Sequence, residues 1–342
     1  MATSSRPETP DGATTPRIPD VRRLRRSIAS GAVALVAALV TLPDLLFELD
    51  RFSPFVQLVS FRPQVVVVLA LAMALAAIRA ARGRHGWRLA GALAVIVVAG
   101  SWMALPRTVA GPGPAPSSGR QLTVATFNTF EGNGDVTAIA ELIRSDRPDL
   151  VSLVEAGDSY RARLAALVEP LGYRLYATTG PGRPDVRGIT AVVSDRLGEV
   201  RVRVDDTTEF PSIEVEGGAL GRLRFIGFHS MAPTAGELTE WRSDLEQVQR
   251  WCSDPTPVIV SGDFNATLDH SVLRSVSSGC RNAADLQGQG LTATWPAWAP
   301  PWMGAQIDHV FVKPDIVVTR VAIREIAGSD HRAVVAGLVV PD

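Results

Sequence analysis

Lysine is almost missing from this 342-residue sequence, in which Lys313 stands against 33 arginines. Residues 121–342 contain 20 basic and 29 acidic residues, which gives this part of the chain a net charge of −9. Proteins that bind duplex nucleic acid hold it largely through phosphate contacts from Lys and Arg. The shortage of basic residues therefore disfavours general DNA binding by this part, although a local basic patch would still allow it.

Cysteine is also scarce, because the sequence contains only Cys252 and Cys280. These residues flank the segment GDFN at residues 262–265 and can form at most one disulfide. In an oxidising compartment such a disulfide would brace this segment. Two buried thiols are the alternative, and the sequence does not decide between them.

Charge is absent from three apolar runs near the N-terminus, at residues 27–43, 63–78 and 89–105. The whole chain is 46% hydrophobic, and its mean hydropathy is +0.15. Each run has about 16 to 17 residues, which is the short end of the length that spans a bilayer. The sequence therefore predicts three transmembrane helices.

Arginine clusters border these runs and predict the orientation of the chain. One cluster precedes the first run, and a second lies between the second and third runs; the arginines are Arg22, Arg23, Arg25 and Arg26, then Arg79, Arg82, Arg84 and Arg88. The positive-inside rule places both clusters in the cytoplasm, so three spans leave the C-terminal part outside the cell membrane. Two alternatives stay open. The first run would serve as a signal peptide, or the second, with Arg62 at its edge, would be re-entrant or interfacial and leave the C-terminal part in the cytoplasm.

Composition divides the chain into four parts. Residues 1–27 are predicted to be a disordered basic tail, and residues 28–106 a three-helix transmembrane region. A Pro/Gly linker is expected over residues 107–120. Residues 121–342 are then expected to form a separate folded domain.

Five short motifs of this domain place a polar side chain beside an apolar segment. Strands rich in Val, Ile and Phe are predicted over residues 122–127, 150–154, 223–228, 258–261 and 307–312. The polar residues beside these strands are Asn128, Glu155, His229, Asp263, Asn265 and Asp308, followed downstream by Asp330 and His331. We expect packed sheets to bring these residues together at the carboxyl-terminal edges of the strands. The combination predicts a site that cleaves phosphoesters.

GDFN at residues 262–265 and SDH at residues 329–331 resemble the motifs of the endonuclease/exonuclease/phosphatase superfamily, which includes DNase I-like nucleases, inositol polyphosphate 5-phosphatases and neutral sphingomyelinases. The resemblance covers about residues 121–342 and implies that they form the catalytic domain. It implies an α/β fold, a four-layer α/β sandwich of two packed mixed β-sheets flanked by helices, here preceded by the three transmembrane helices. With its membrane segment, the chain looks most like the membrane-tethered actinobacterial members, including the VanJ-type teicoplanin-resistance proteins.

The resemblance also implies a divalent metal ion. Mg²⁺ is expected and Mn²⁺ is the alternative, with Glu155 as the main ligand and Asn128 and Asp330 as further metal-site residues. The superfamily members that act at abasic sites carry an acidic residue two positions after this asparagine. Here Phe130 occupies that position, which counts against abasic-site chemistry.

The catalytic roles follow the same resemblance. Asp263 is expected to orient or deprotonate the attacking water, while Asn265 and His229 are expected to bind the phosphate. Asp308 would fix the tautomer of His331 and keep its imidazole protonated near the scissile phosphate. Since alternate residues of a strand face the same way, Asp263 and Asn265 are expected on one face.

A cluster of tryptophan and proline precedes the last of these strands, in TWPAWAPPWMG at residues 294–304. We expect this segment to form a lid over the site, with Trp298 and Trp302 contacting substrate. Contact with lipid or with a stacked base is the alternative if the rings are exposed.

The sequence thus predicts a membrane-anchored, divalent-metal-dependent phosphoester hydrolase, a phosphodiesterase or phosphatase, that acts on the extracytoplasmic side. Its substrate is expected to be a lipid-linked phosphate or pyrophosphate of the cell envelope. An extracytoplasmic nuclease that degrades DNA or RNA is one alternative, and a non-catalytic envelope binding protein is another. The complete set of polar site residues argues against the second alternative.

Overall fold

The computed structural model describes residues 21–83, 86–111 and 119–341. The predicted tail up to residue 20 and most of the predicted linker, residues 112–118, lie outside the described residues. The N-terminal helices are α1 (Val21–Thr41), α2 (Phe55–Val59), α3 (Arg62–Ala81) and α4 (Trp87–Ala104). Helix α1 begins at Val21, so it includes residues 21–27 that the sequence assigns to the tail.

Three of the described helices are long and apolar enough to cross a membrane, over Leu24–Thr41, Arg62–Ala81 and Trp87–Thr108. Their packing is closest at Gly100 of α4, where an added Cβ would lie 2.5 Å from Val66 and 3.0 Å from Thr41. The end of α1, the beginning of α3 and the end of α4 therefore lie at the same level. The three helices run in alternating directions through this bundle.

The C-terminal part alternates strands with helices. In chain order its elements are β1 (Gly119–Asn128), α5 (Val136–Asp146), β2 (Leu150–Val154), α6 (Asp158–Val168), β3 (Tyr173–Ala177), β4 (Ile189–Ser194), β5 (Arg201–Asp205), β6 (Ser212–Glu216), β7 (Arg224–His229), α7 (Leu238–Ser253), β8 (Val258–Asp263), α8 (Ser271–Val276), β9 (Arg281–Asn282), α9 (Ala283–Leu286), β10 (Asp308–Val312), β11 (Val317–Glu325) and β12 (Arg332–Pro341).

Within the described residues these strands form two sheets of six, in the orders β11-β12-β1-β2-β4-β3 and β5-β6-β7-β8-β10-β9. Each sheet is mixed, because β1 pairs with β2 and β7 with β8 in parallel while the neighbouring pairs are antiparallel. Apolar residues of the two facing surfaces, such as Val124 and Phe225, share one buried core. Helices α5 and α6 cover the outer face of the first sheet, and α7 and α8 cover that of the second. The predicted four-layer sandwich is confirmed.

The strand ends bring the predicted polar residues to one edge. Asn128, His229 and Asp263 are the last residues of β1, β7 and β8. Asp308 differs from the expectation, since it is the first residue of β10 rather than a carboxyl-terminal residue. Because β10 runs antiparallel to β8, its beginning meets the end of β8, and Asp308 pairs in register with Asp263.

Gly262 of the GDFN motif allows the close approach of β7 to β8. Its φ is +155°, and an added Cβ would lie 1.7 Å from the carbonyl oxygen of Phe228. Any other residue would push the strands apart, so glycine at this position keeps His229 beside Asp263.

The segment between α1 and α3 packs directly on the sandwich. Val56 of α2 is fully buried in the core formed by α7, α8 and the second sheet. Beside it, Arg62 is completely buried and pairs with both Asp44 and Asp269, the latter at 3.0 Å. Arg107 pairs with the other oxygen of Asp269 at 2.7 Å. A buried ionic network thus joins the membrane helices to the loop that follows β8.

Cys252 and Cys280 form a disulfide with a Cα–Cα distance of 5.3 Å. The bridge connects the end of α7 to the residue before β9 and encloses β8 with the GDFN motif. The structure therefore favours the disulfide over the alternative of two free thiols.

Candidate active site

Asn128 joins two carboxylates at the centre of the polar edge. Its Nδ2 donates hydrogen bonds to Oε1 of Glu155 at 3.0 Å and to Oδ2 of Asp263 at 2.9 Å. The amide oxygen of Asn128 accepts from the backbone N–H of Phe130 at 2.9 Å. Asn128 is expected at a metal site, and its amide positions two carboxylates there while its oxygen keeps a second lone pair.

Glu155 sits directly after β2 in the left-handed region, with φ of +54°. This conformation is unfavourable for a residue with a Cβ and is typical of functional sites. Its Oε2 accepts from the backbone N–H of Glu131 at 2.7 Å. Burial raises the pKa of the Glu155 carboxyl, and the two hydrogen bonds only partly counter this effect. A nearby cation would favour its ionised form.

Asp308 and His331 form the expected carboxylate–imidazole pair, with 2.8 Å between Oδ2 of Asp308 and Nδ1 of His331. Burial by itself lowers the pKa of the imidazole. The charge and hydrogen bond of Asp308, with the charges of Asp263 and Asp330, outweigh burial and raise the pKa of His331 to about 10. The imidazole is therefore protonated at neutral pH. Its Nε2 lies 3.8 Å from Asp263 and 3.8 Å from Asp330, so a positive group faces the centre of the site.

His229 lies across the site, with its Nε2 3.9 Å from Oε1 of Glu155. Burial lowers the pKa of His229 to about 4, so this imidazole is neutral at pH 7. Its ring packs against Phe210 with 4.2 Å between ring centroids. The two site histidines thus differ in charge because only His331 has a directly bonded carboxylate.

Asn265 follows Asp263 through a turn rather than along a strand. Strand β8 ends at Asp263, and Asn265 has φ of +46° in the left-handed region. The expectation that alternate strand residues place both side chains on one face is wrong for this reason. The pair is held instead by the backbone N–H of Asn265, which donates to Asp263 at 2.8 Å, and by its Nδ2, which donates to the carbonyl of Ser230 at 3.0 Å.

Asp330 is fixed by the tryptophan-rich segment. Its Oδ2 accepts from Nε1 of Trp295 at 2.9 Å. The rings of Trp298 and Trp302 are 83% and 71% exposed, so they do not form the packed lid that the sequence suggests. Two further histidines of the sandwich serve the scaffold, because buried His309 bonds the carbonyl of Ala266 and buried His270 bonds the carbonyl of Val56.

The chemistry of the cluster fits a divalent cation. Oxygens of Asp263 and Asp308 and a nitrogen of His331 lie within 4.8 Å of one another, and because the imidazole is protonated, the carboxylate oxygens are the available ligands. Two buried oxygens, Oδ1 of Asp308 and Oδ1 of Asp330, have no hydrogen-bond partner among the described residues. Burial and the charge of Asp308 raise the pKa of Asp263. With Glu155, four carboxylates surround one imidazolium, and oxygen-rich clusters of negative charge suit hard cations such as Mg²⁺.

Two further residues of the site were not among the predicted ones. Ser329 donates its hydroxyl to the carbonyl of Asn128 at 2.7 Å and accepts from the backbone N–H of His331 at 2.9 Å. Thr294 accepts from the backbone N–H groups of Ile307 and Asp308. Ser329 could have been predicted because it is the first residue of the SDH motif. Nothing in the sequence around Thr294 predicts its hydrogen bonds.

A two-sheet sandwich with this carboxylate cluster and an Asp–His pair at one edge defines a class of enzymes that hydrolyse phosphoesters. The chain belongs to the Endonuclease/Exonuclease/phosphatase family, whose model matches residues 125–331. The protein is therefore a hydrolase that acts on ester bonds, and its family generally depends on divalent metal ions. No curated protein matches the sequence.

Solved structures share the fold. Humanized D. rerio TDP2 with 14 mutations is 16% identical and superposes with a TM-score of 0.51, covering 64% of this chain and 99% of that chain. D. rerio TDP2 complexed with single-strand DNA product gives the same TM-score, identity and coverage. A functionally unknown conserved protein from Enterococcus faecalis V583 is also 16% identical, with a TM-score of 0.50 and coverage of 64% and 99%. At these identities the comparisons establish the fold alone.

Proposed function

We propose that this protein is a Mg²⁺-dependent phosphoester hydrolase that is anchored in the cell membrane and acts on a lipid-linked phosphate or pyrophosphate outside the cytoplasm. The observation that carries the proposal is the position of the site relative to the membrane helices. Three loops leave the polar edge of the sheets, and each contacts the segment of residues 44–64 at the ends of α1 and α3.

The three contacts are specific. Gln57 donates to the carbonyl of Pro233 at 2.6 Å, in the loop that follows His229. The imidazole of His270, in the loop that follows Asp263, bonds the carbonyl of Val56 at 2.8 Å. Gln64 donates to the carbonyl of Gly304 at 2.9 Å, in the tryptophan-rich segment. Because a span begins at Arg62, a phosphate in the headgroup layer lies at the level of these loops.

Two observations support the extracytoplasmic side. The described arginines at the start of α1, at the end of α3 and at the start of α4 lie at the helix ends opposite the sandwich, as the positive-inside rule requires for an outer catalytic domain. The disulfide between Cys252 and Cys280 is typical of an oxidising compartment. The similarity to membrane-tethered VanJ-type proteins stays a prediction that agrees with this arrangement.

Each of the following site residues has its own proposed role in the hydrolysis. Glu155 and Asp330 would hold the metal ion, with Asn128 positioning Glu155, and the ion would neutralise charge on the phosphoryl oxygens. Asp263 would orient the attacking water and accept its proton. His331, protonated and fixed by Asp308, would donate to the phosphate.

Neutral His229 and the amide of Asn265 complete the proposed phosphate site. His229 is the last residue of β7, Asn265 lies in the loop that follows β8, and neither side chain carries a charge at neutral pH. They would bind non-bridging oxygens by hydrogen bonds without adding to the charge of the site.

Hydrolysis of nucleic acid is the second candidate. It is favoured by the shared fold of D. rerio TDP2, whose structure contains a single-strand DNA product. The net charge of −9 in residues 121–342 opposes it. The test is hydrolysis by the full chain in phospholipid vesicles with Mg²⁺, comparing a prenyl pyrophosphate, a phospholipid and single-stranded DNA.

Lipid phosphoester cleavage that is lost in Glu155→Gln and His331→Ala supports the proposal. We expect each substitution to lower kcat by about 10²–10⁴-fold, because removal of an acid, base or metal ligand has effects of this size. Glu169→Gln, at an exposed glutamate, is the matched control and should change kcat by less than about twofold. Cleavage of DNA alone would support hydrolysis of nucleic acid instead. No turnover of any substrate would refute both proposed functions.

A further inference from the structure

We propose that the tryptophan loop, residues 295–304, is a second membrane contact that inserts the side chains at its tip into the headgroup layer of the bilayer crossed by α1, α3 and α4. The proposal rests on the membrane anchoring of the chain and does not require the hydrolytic function. Its partner is the lipid surface itself.

Exposed apolar surface is concentrated in this loop. Among the described residues of the sandwich, the large apolar side chains with the greatest exposed fractions are Trp298 at 83%, Trp302 at 71% and Met303 at 49%. A single exposed apolar residue is ordinary, but two indoles and a thioether on six consecutive residues form a patch. Such a patch in a protein that is already at a membrane indicates an interaction surface.

The position of the loop identifies its partner. Gln64, in the first turn of α3, donates to the carbonyls of Trp302 at 3.0 Å and Gly304 at 2.9 Å. Gln64 is the third residue of the span that begins at Arg62, so the loop backbone touches the span where it enters the bilayer. Trp102, near the end of α4 at the same level, is 81% exposed. Indole side chains prefer this interfacial depth because their rings are apolar and their N–H groups bond water or headgroups.

The loop is also chemically suited to lipid. The sequence WPAWAPPWMG contains no charged residue, so insertion into the headgroup layer buries no charge. Val204 of β5 offers the contrast, since it is 46% exposed but stands between Arg203 and Asp205. The exposed apolar side chain of Val204 therefore lies next to charges, whereas those of the tryptophan loop do not.

The base of the loop is held rigidly by the active-site side. Trp295 and Ala305 form an antiparallel bridge, and the N–H of Ala297 donates to the carbonyl of Asp330 at 2.6 Å. Buried Arg332 donates to the carbonyls of Ala297 and Ala299. The base of the loop is therefore fixed while its tip is exposed. Its insertion would set the height of Asp330 above the bilayer.

The test places a fluorophore on the loop of the full chain in phosphatidylcholine vesicles. Trp302→Cys is labelled with an environment-sensitive dye, while the native cysteines stay in their disulfide, and lipids brominated near the headgroup serve as quenchers. Val204→Cys is the matched control. We expect quenching of the dye at residue 302 to exceed that at residue 204 by at least about threefold, because interfacial insertion brings the dye within contact of the quencher.

Equal quenching at the two positions would overturn the proposal. Met303→Cys, labelled in the same way, provides a second variant if Trp302→Cys does not fold, and it must give the same result. Since quenching needs no turnover, a failure here is distinguishable from a failure of the proposed hydrolysis.

Discussion

Asp285 is a buried residue outside the site whose ionisation affects the stability of the whole protein. Burial raises the pKa of its carboxyl to about 7; the charge of Arg107 acts against this rise, and that of Asp269 adds to it. Its Oδ1 has no hydrogen-bond partner among the residues that the structure describes. Ionisation of Asp285 therefore opposes folding at neutral and higher pH.

The sign of the pH effect follows from this raised pKa. Below the unfolded pKa of about 4 the carboxyl is neutral in both states, and stability falls as the pH rises from there through about 7. We expect Asp285→Asn to raise the free energy of unfolding by roughly 4 kcal/mol at pH 8 and to leave it unchanged near pH 4. Urea unfolding of the full chain in detergent, followed by tryptophan fluorescence, measures the difference. Asp315→Asn, at an exposed acid, is the control, and an equal effect of both substitutions would contradict the explanation.

At the same scale, the sequence predicted the central site residues because each stands at the end or start of an apolar strand. Asn128, Asp263 and Asp308 are terminal strand residues, and the sheet register brings them together. The contacts of Phe210 with His229 and of Trp295 with Asp330 could not be predicted in this way. They depend on the paths of loops, which local patterns do not specify.

Among the elements, α3 and the loop after β8 are joined by a buried ion pair. In the sequence, Arg62 is a charged residue at the edge of the second predicted transmembrane helix and makes that helix a weaker candidate for a membrane span. In the structure it is buried between Asp44 and Asp269, and its pairing partner lies 207 residues further along the chain. Such a distant pair leaves no trace in local periodicity, whereas five of the strands in the sandwich were predicted from their apolar residues.

Removal of Arg62 tests this junction. Arg62→Ala leaves Asp44 and Asp269 with less compensation in a buried environment, and we expect a loss of about 3–5 kcal/mol in the free energy of unfolding. Arg324→Ala, which removes a half-exposed partner of Asp146, is the matched control with an expected loss of about 0–1 kcal/mol. Urea unfolding in detergent compares the two variants. Similar losses would mean that the buried network does not hold the helices to the sandwich.

For the whole molecule, the alternating helices and the position of the sandwich define a topology that fusions can test. Helix α3 begins and α4 ends beside the sandwich, while the turn after Ala81 lies at the opposite end of the bundle. In the proposed orientation, with the arginine-rich end in the cytoplasm, the C-terminal residue would lie outside.

We expect alkaline phosphatase fused after Asp342 to be active and green fluorescent protein fused there to be dark, because the former folds only outside the cytoplasm and the latter only inside. Fusions after Gly83 should give the opposite pattern, and they serve as the internal control. Fluorescence of the C-terminal fusion would place the catalytic domain in the cytoplasm and contradict the proposed orientation.

The buried ionic network has a consequence for the order in which the protein is made. Arg62 and Asp44 lie 18 residues apart and can pair as soon as the first two membrane helices have left the ribosome. Asp269 and Arg274, their other partners, are synthesised about 200 residues later. The newly made helices would therefore hold an incomplete charge network until the sandwich folds and completes it. The helix bundle and the sandwich would in this sense complete their assembly together.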